Sequence, residues 1–294
     1  MILISIAPMV MADHAAEDDE NDIFIYTGGR VPQHLKNIIT HARIDESITE
    51  IDDGAFRNCP FLLSVDCHAG VERIGKAAFK NCPSMKRIKL PGVKTIDTEA
   101  FQHCTFLKSV KFGDKLETIG KCSFAHCTSL RRIKIHTVSS IELCAFWDCI
   151  VMTHVELPSE EGALYTIKGR AFAECRSLRR ISLPLKEGLL TANTVFDDCD
   201  ELQRVDLVGG IHEAVSSLHL NSWRDEMTSE INRINRSLPF LCEEGIQTEG
   251  IQQWMQSILR RISHYKAEHR VLLKEAMMLL ELALWKAKLD ADGE

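Results

Sequence analysis

Phenylalanine recurs along this chain at a nearly fixed period, and that period decides what it can fold into. Phe56, Phe79, Phe101, Phe124, Phe146, Phe172 and Phe196 follow one another at intervals of 22 to 26 residues. A cysteine stands three residues after each: Cys59, Cys82, Cys104, Cys127, Cys149, Cys175 and Cys199. Three residues further on comes Leu62, Met85, Leu107, Leu130, Met152, Leu178 or Leu202, and an alternating apolar pair closes each unit, from Val65/Cys67 to Val205/Leu207. The unit reads I-x-x-x-A-F-x-x-C-x-x-L-x-x-I-x-I. A segment this short cannot bury its own apolar face, so neighbouring units must stack into a continuous core.

The tail L-x-x-I-x-I ends in a period of two, the pattern of a short strand with one buried face. The A-F-x-x-C segment has the spacing of a single helical turn that drops its Phe inward. The expected fold is therefore an α/β repeat solenoid of short strands and single helical turns. Rungs spaced about 4.8 Å apart make seven of them roughly 30 Å long. Residues 51–211 hold the repeats, 23–50 an N-terminal cap, 1–22 an acidic disordered start and 212–294 a helical region.

These units resemble the BspA-type leucine-rich repeat family, whose repeat is I-G-x-x-A-F-x-x-C-x-x-L-x-x-I-x-I-P. IGKAAFKNCPSMKRIKLP (74–91) and IKGRAFAECRSLRRISLP (167–184) lie nearest to it, while the last repeat has Ala192 where Ile is usual, as suits a terminal rung. The flanks IYTGGRVP (25–32) and LLELALWKAKL (279–289) look like caps seen in algal members. The resemblance implies a solenoid used for protein binding, sometimes at cell surfaces, and no catalytic residues.

The formal charge is −7, from 35 Lys and Arg against 42 Asp and Glu, which argues against wholesale coating of nucleic acid. MILISIAPMVM opens the chain like a short signal core. It lacks a basic leader and an acidic run follows it, so a signal peptide is not expected. With the cysteines explained by the repeat rather than by disulfides, the expectation is a reduced cytoplasmic or nuclear protein without a membrane span.

After Gly209 and Gly210 the pattern turns helical. Ile211, Val215 and Leu218 share one face; Trp223, Met227, Ile231, Ile234 and Leu238 share another, with Ser222/Asp225 as a capping pair and Pro239 as a stop. No Gly or Pro interrupts 251–289, which as one helix would extend roughly 60 Å, about twice the solenoid's length. It must bend, break, or project and find a partner. A helical cap on the last rung is the favoured reading, and a homodimer arm through 251–289 the alternative.

No nucleotide, metalloprotease or serine-hydrolase motif occurs, so no catalytic residue and no cofactor is expected. The cysteine ladder reads as small buried hydrophobes. His103 and His126 occupy matching positions two after Phe, with Asp148 next in line, and Cys122 and Cys144 match two before Phe. His103, His126 and Asp148 are weak metal candidates, since their spacing is no zinc-site spacing.

One surface carries a pattern. The residues that point outward beside the buried strand positions are Ser64/Asp66, Arg87/Lys89, Ser109/Lys111, Arg132/Lys134, His154/Glu156, Arg180/Ser182 and Arg204/Asp206. Arg87, Lys89, Lys111, Arg132, Lys134 and Arg180 make a basic stripe on an acidic chain. It reads either as a docking face for an acidic protein partner or as a solubilising surface that discourages edge association. No aromatic accompanies it, so base stacking is not indicated.

Overall fold

The computed structural model describes residues 23–158, 164, 166–209, 211–240 and 245–291. The signal-like start and the acidic run lie outside them.

Each rung contributes one strand to an open face. Ile23–Tyr26, His41–Ile44, Ser64–Asp66, Arg87–Leu90 and Ser109–Phe112 form a five-stranded parallel sheet. Arg132–Lys134, His154–Glu156, Arg180–Pro184 and Arg204–Val208 form a four-stranded one. Burial alternates along these strands, with Ile88, Leu90, Val110, Ile133, Val155 and Ile181 turned inward. The first two strands come from the segment before the repeats, so the stack starts on the same sheet it continues.

A second row escaped the sequence reading. Two-residue strands Glu50–Ile51, Arg73–Ile74, Thr95–Ile96, Thr118–Ile119, Ser140–Ile141 and Thr166–Ile167 pair in register into a six-stranded parallel sheet. Each places an Ile five residues before the repeat Phe and buries it completely. Between the two rows lies the A-F-x-x-C turn, closed by bonds three residues apart such as Cys104 N–H to Phe101 C=O at 3.2 Å.

The seven Phe rings stack rung on rung, with centroids 5.0–5.9 Å apart and planes within 13° of parallel. That spacing is the strand spacing, so the sheets dictate the stack and the rings fill what the sheets leave. Tyr26 lies against Phe56 at 5.1 Å and finishes the N-terminal end.

Three helices follow: α1 (Ile211–Ser216), α2 (Asn221–Ser237) and α3 (Ile246–Ala291), with a 3₁₀ turn at Leu238–Phe240 where Pro239 stops α2. The expected Ser222/Asp225 cap is not used. Leu220 takes the N-cap position and no side chain bonds there, which leaves Ser222 inside the first turn. The helices cover the last rung. Thr248 accepts from the Phe196 amide at 3.0 Å, the Asp197 carboxylate accepts from the Gly245 amide at 3.0 Å, and Asn235 accepts from the Val205 amide at 2.8 Å. These groups take the hydrogen bonds that a further rung would have supplied.

Residues 251–289 do not break into two helices. The single α3 caps with its first half, where Ile251, Trp254, Met255, Ile258, Ile262 and Tyr265 are buried, and projects with its second. Among the described residues, no helix is long and apolar enough to cross a membrane.

Candidate functional site

Two sets of side chains are lined up by the rung geometry: the polar column beside the Phe stack and the outward residues of the strand face. The polar column begins with the backbone. Asn58, Asn81, His103, His126, Asp148, Glu174 and Asp198, each two after Phe, all have positive φ, between 54° and 61°. So do Ala77, Glu99, Cys122, Cys144 and Arg170, each two before. This conformation turns each amide along the solenoid axis toward the next rung. His103 N–H donates to Ala125 C=O at 3.0 Å, His126 N–H to Trp147 C=O at 2.8 Å, and Asp148 N–H to Ala173 C=O at 3.0 Å. Asn, Asp and His tolerate that backbone better than most residues, which accounts for their presence two after Phe.

The structure brings the sequence-derived candidates together. The His103 and His126 rings stack at 4.4 Å, nearly parallel, and His126 Nδ1 lies 2.7 Å from the Asp148 carboxylate. Trp147 packs edge-on against His126 and donates to Glu174 at 3.1 Å. The result is a row of side chains, one per rung. Among the described residues, no group of three or more His, Cys, Asp or Glu converges as a metal site would require. Burial, with a smaller push from the His126 charge, holds His103 below its ordinary value.

The cysteine ladder does a local job that its spacing hinted at. From the second rung on, each Sγ donates to the carbonyl of the previous rung's Phe: Cys82 to Phe56 at 3.0 Å, Cys104 to Phe79 at 3.1 Å, and Cys127, Cys149, Cys175 and Cys199 likewise at 3.2–3.3 Å. The described cysteines are all free thiols. Burial pushes the Cys104 thiol up to about 12, and Cys127 in the same direction, so these are protonated donors rather than nucleophiles. Cys122 and Cys144 do neighbour each other at the column two before Phe, and burial raises Cys122.

On the strand face the stripe divides. Lys134 pairs with Glu156 at 3.3 Å, and Arg180 pairs with Asp206, which also takes Arg204 at 2.7 Å. Lys86, Arg87, Lys89, Lys108, Lys111 and Arg132 are exposed and form no ion pair among the described residues. Register sets Lys89 directly beside Lys111, and Arg87 beside Ser109. The face is hollow in two places. A hollow of about 410 Å³ is lined by His41, Leu63, Ser64, Lys86, Arg87, Lys108 and Ser109, without a carboxylate. A larger one of about 600 Å³ holds the paired charges from Lys134 to Asp206. Outward strand positions were legible as a set; the loss of Lys134 and Arg180 to ion pairs was not, because it depends on which residue the next rung places alongside.

Solved leucine-rich repeat proteins are similar to this chain. One from T. pallidum is 23% identical over 68% of this chain and 90% of that one, with a TM-score of 0.44. One from Eubacterium ventriosum is 27% identical over 46% and 37% of the two chains, with a TM-score of 0.43, and an internalin of Listeria monocytogenes is 14% identical over 63% and 54%, with a TM-score of 0.36. No curated protein sequence matches. The model of the "BspA type Leucine rich repeat region" matches six copies, over residues 34–151 and 136–233. Since those matches span more than half the chain and fall on the rungs just described, this protein belongs to the BspA-type leucine-rich repeat family.

Proposed function

We propose that this protein is a non-enzymatic interaction scaffold that docks an acidic segment of a protein partner on its strand face. The architecture is that of a protein-interaction repeat in general. The observation that carries the finer reading is the cluster of unpaired cations around the carboxylate-free hollow at Lys86, Arg87 and Lys108, continued by Lys89 and Lys111. Like charges set side by side on adjacent strands repel, and an acidic segment laid across them would remove that cost.

The test is capture from native lysate with the wild type and with Lys89→Glu/Lys111→Glu, checked for folding by circular dichroism. A partner held by the wild type, released by rising salt and absent from the folded variant supports the reading. The same partners on both proteins would make the stripe a solvated surface. A second reading, self-assembly through residues 251–289, is favoured by the exposed apolar half of α3.

A further inference from the structure

The last part of α3 has no business being so apolar in water. Between Val271 and Trp285 it carries ten large hydrophobic side chains, each 46–71% exposed. They present on the order of 1,000 Å² of apolar surface, where the largest patch on a typical monomer is about 300–600 Å². Two copies together expose about 2,000 Å², so covering half of it reaches the roughly 1,000 Å² that a specific interface needs.

The arrangement of residues says what covers this surface. Leu273, Met277, Leu280 and Leu284 follow one another at spacings of 4, 3 and 4, which makes them the inward positions of a heptad seam. One edge of that seam carries Lys274 and Glu281, seven residues apart; the other carries Ala276 and Ala283. Two copies laid parallel would face Lys and Glu across the seam with Ala, and no charge would meet its opposite. Two copies laid antiparallel about an axis between Met278 and Leu279 behave differently. Met277 then meets Leu280 of the second copy and Leu273 meets Leu284, while Lys274 meets Glu281 on one edge and the small Ala276 and Ala283 let the backbones approach on the other. Every pairing occurs twice, as an isologous interface demands.

We infer that residues 271–285 form an antiparallel two-helix interface with the same segment of a second copy of this chain. This rests on the self-assembly reading and adds its partner, register and orientation. The outer row, with Leu272, Leu279 and Trp285, stays uncovered in one pair. It can close by stacking two pairs, so a mass of two or four copies fits. The arm leaves the body beyond His269 and touches none of the rungs, so substitutions in it do not threaten the solenoid.

The experiment is light scattering on the full chain during gel filtration over a dilution series, with Glu281→Lys, Lys274→Glu, the double exchange and Leu280→Glu. Leu280→Glu is expected to give monomers. Each single charge variant is expected to weaken association about tenfold, since like charges then face each other twice. The double exchange restores it, and an equimolar mixture of the two single variants associates as the wild type does. A monomeric wild type at all concentrations would overturn the self-assembly reading and the inference with it. Association lost with Leu280→Glu but indifferent to the charge exchanges would keep self-assembly and overturn the antiparallel register. Association that survives Leu280→Glu would place the interface elsewhere and overturn the inference.

Discussion

Each rung asks the same few things of its residues. The Phe fills the core between two sheets, so Phe124→Ala, with a stacked ring on either side, is expected to cost about 3–5 kcal/mol in a urea titration. The left-handed positions carry a cost of the opposite kind. Arg170, at φ 55° and exposed, makes no ion pair among the described residues, so Arg170→Gly should raise stability by about 1 kcal/mol in the same titration. The buried thiols couple stability to alkali. Cys104 ionises at about 12 when folded and near 9.0 when unfolded, so above pH 9 the unfolded chain loses its proton first and is favoured. Thermal stability should therefore fall between about pH 9 and 12, less steeply in Cys104→Ala. This backbone demand was not read beforehand: Cys122, Glu99 and Arg170 are not residues that announce a left-handed conformation, and the recurring His and Asp two after Phe stood out only as a column of matching polar positions.

At the scale of elements, what could be read was whatever had a period. Strand-face strands alternate over three to five residues and were legible, whereas the second sheet's two-residue strands are too short to show a period of two. Glycine marks one place where two elements touch. A Cβ on Gly113 would lie 1.9 Å from the Pro91 carbonyl oxygen of the preceding rung, so no side chain fits there. The long helix was legible in extent but not in its division of labour, because apolar residues run along both halves and only contact with the last rung tells them apart. That division is testable. Ending the chain after His269 should leave the melting temperature of the solenoid unchanged. Ending it before Gly245 removes the partners of Asp197 and Phe196 and uncovers the last rung, and should yield aggregated or partly unfolded protein.

For the molecule as a whole, the two faces of the solenoid are not equally continuous. The sheet from Glu50–Ile51 to Thr166–Ile167 runs unbroken through the middle, but on the strand face the ladder of pairings stops between Ser109–Phe112 and Arg132–Lys134. In a one-dimensional array, stability is the sum of the rungs and the interfaces between neighbours, and protection is ordinarily greatest far from the ends. Here the central interface holds without strand-face pairing, by the Phe101–Phe124 stack, the Cys127 Sγ bond to the Phe101 carbonyl, the second sheet, and the turn column, where the Phe101 amide donates to Ser123 and the His103 amide to Ala125. Native-state hydrogen exchange should show it. The amides of Ile96 and Ile119 are expected among the slowest, while those of Arg132, Ile133 and Lys134 exchange faster than the amides of Arg180, Ile181 and Ser182, which lie nearer an end but sit between paired strands. Uniform protection across both strand-face sheets would mean that the rungs meet there as tightly as elsewhere. Faster exchange at the break would mean that the basic patch of Lys89 and Lys111 borders a seam in the strand face, across which the two rungs stay in contact without backbone pairing.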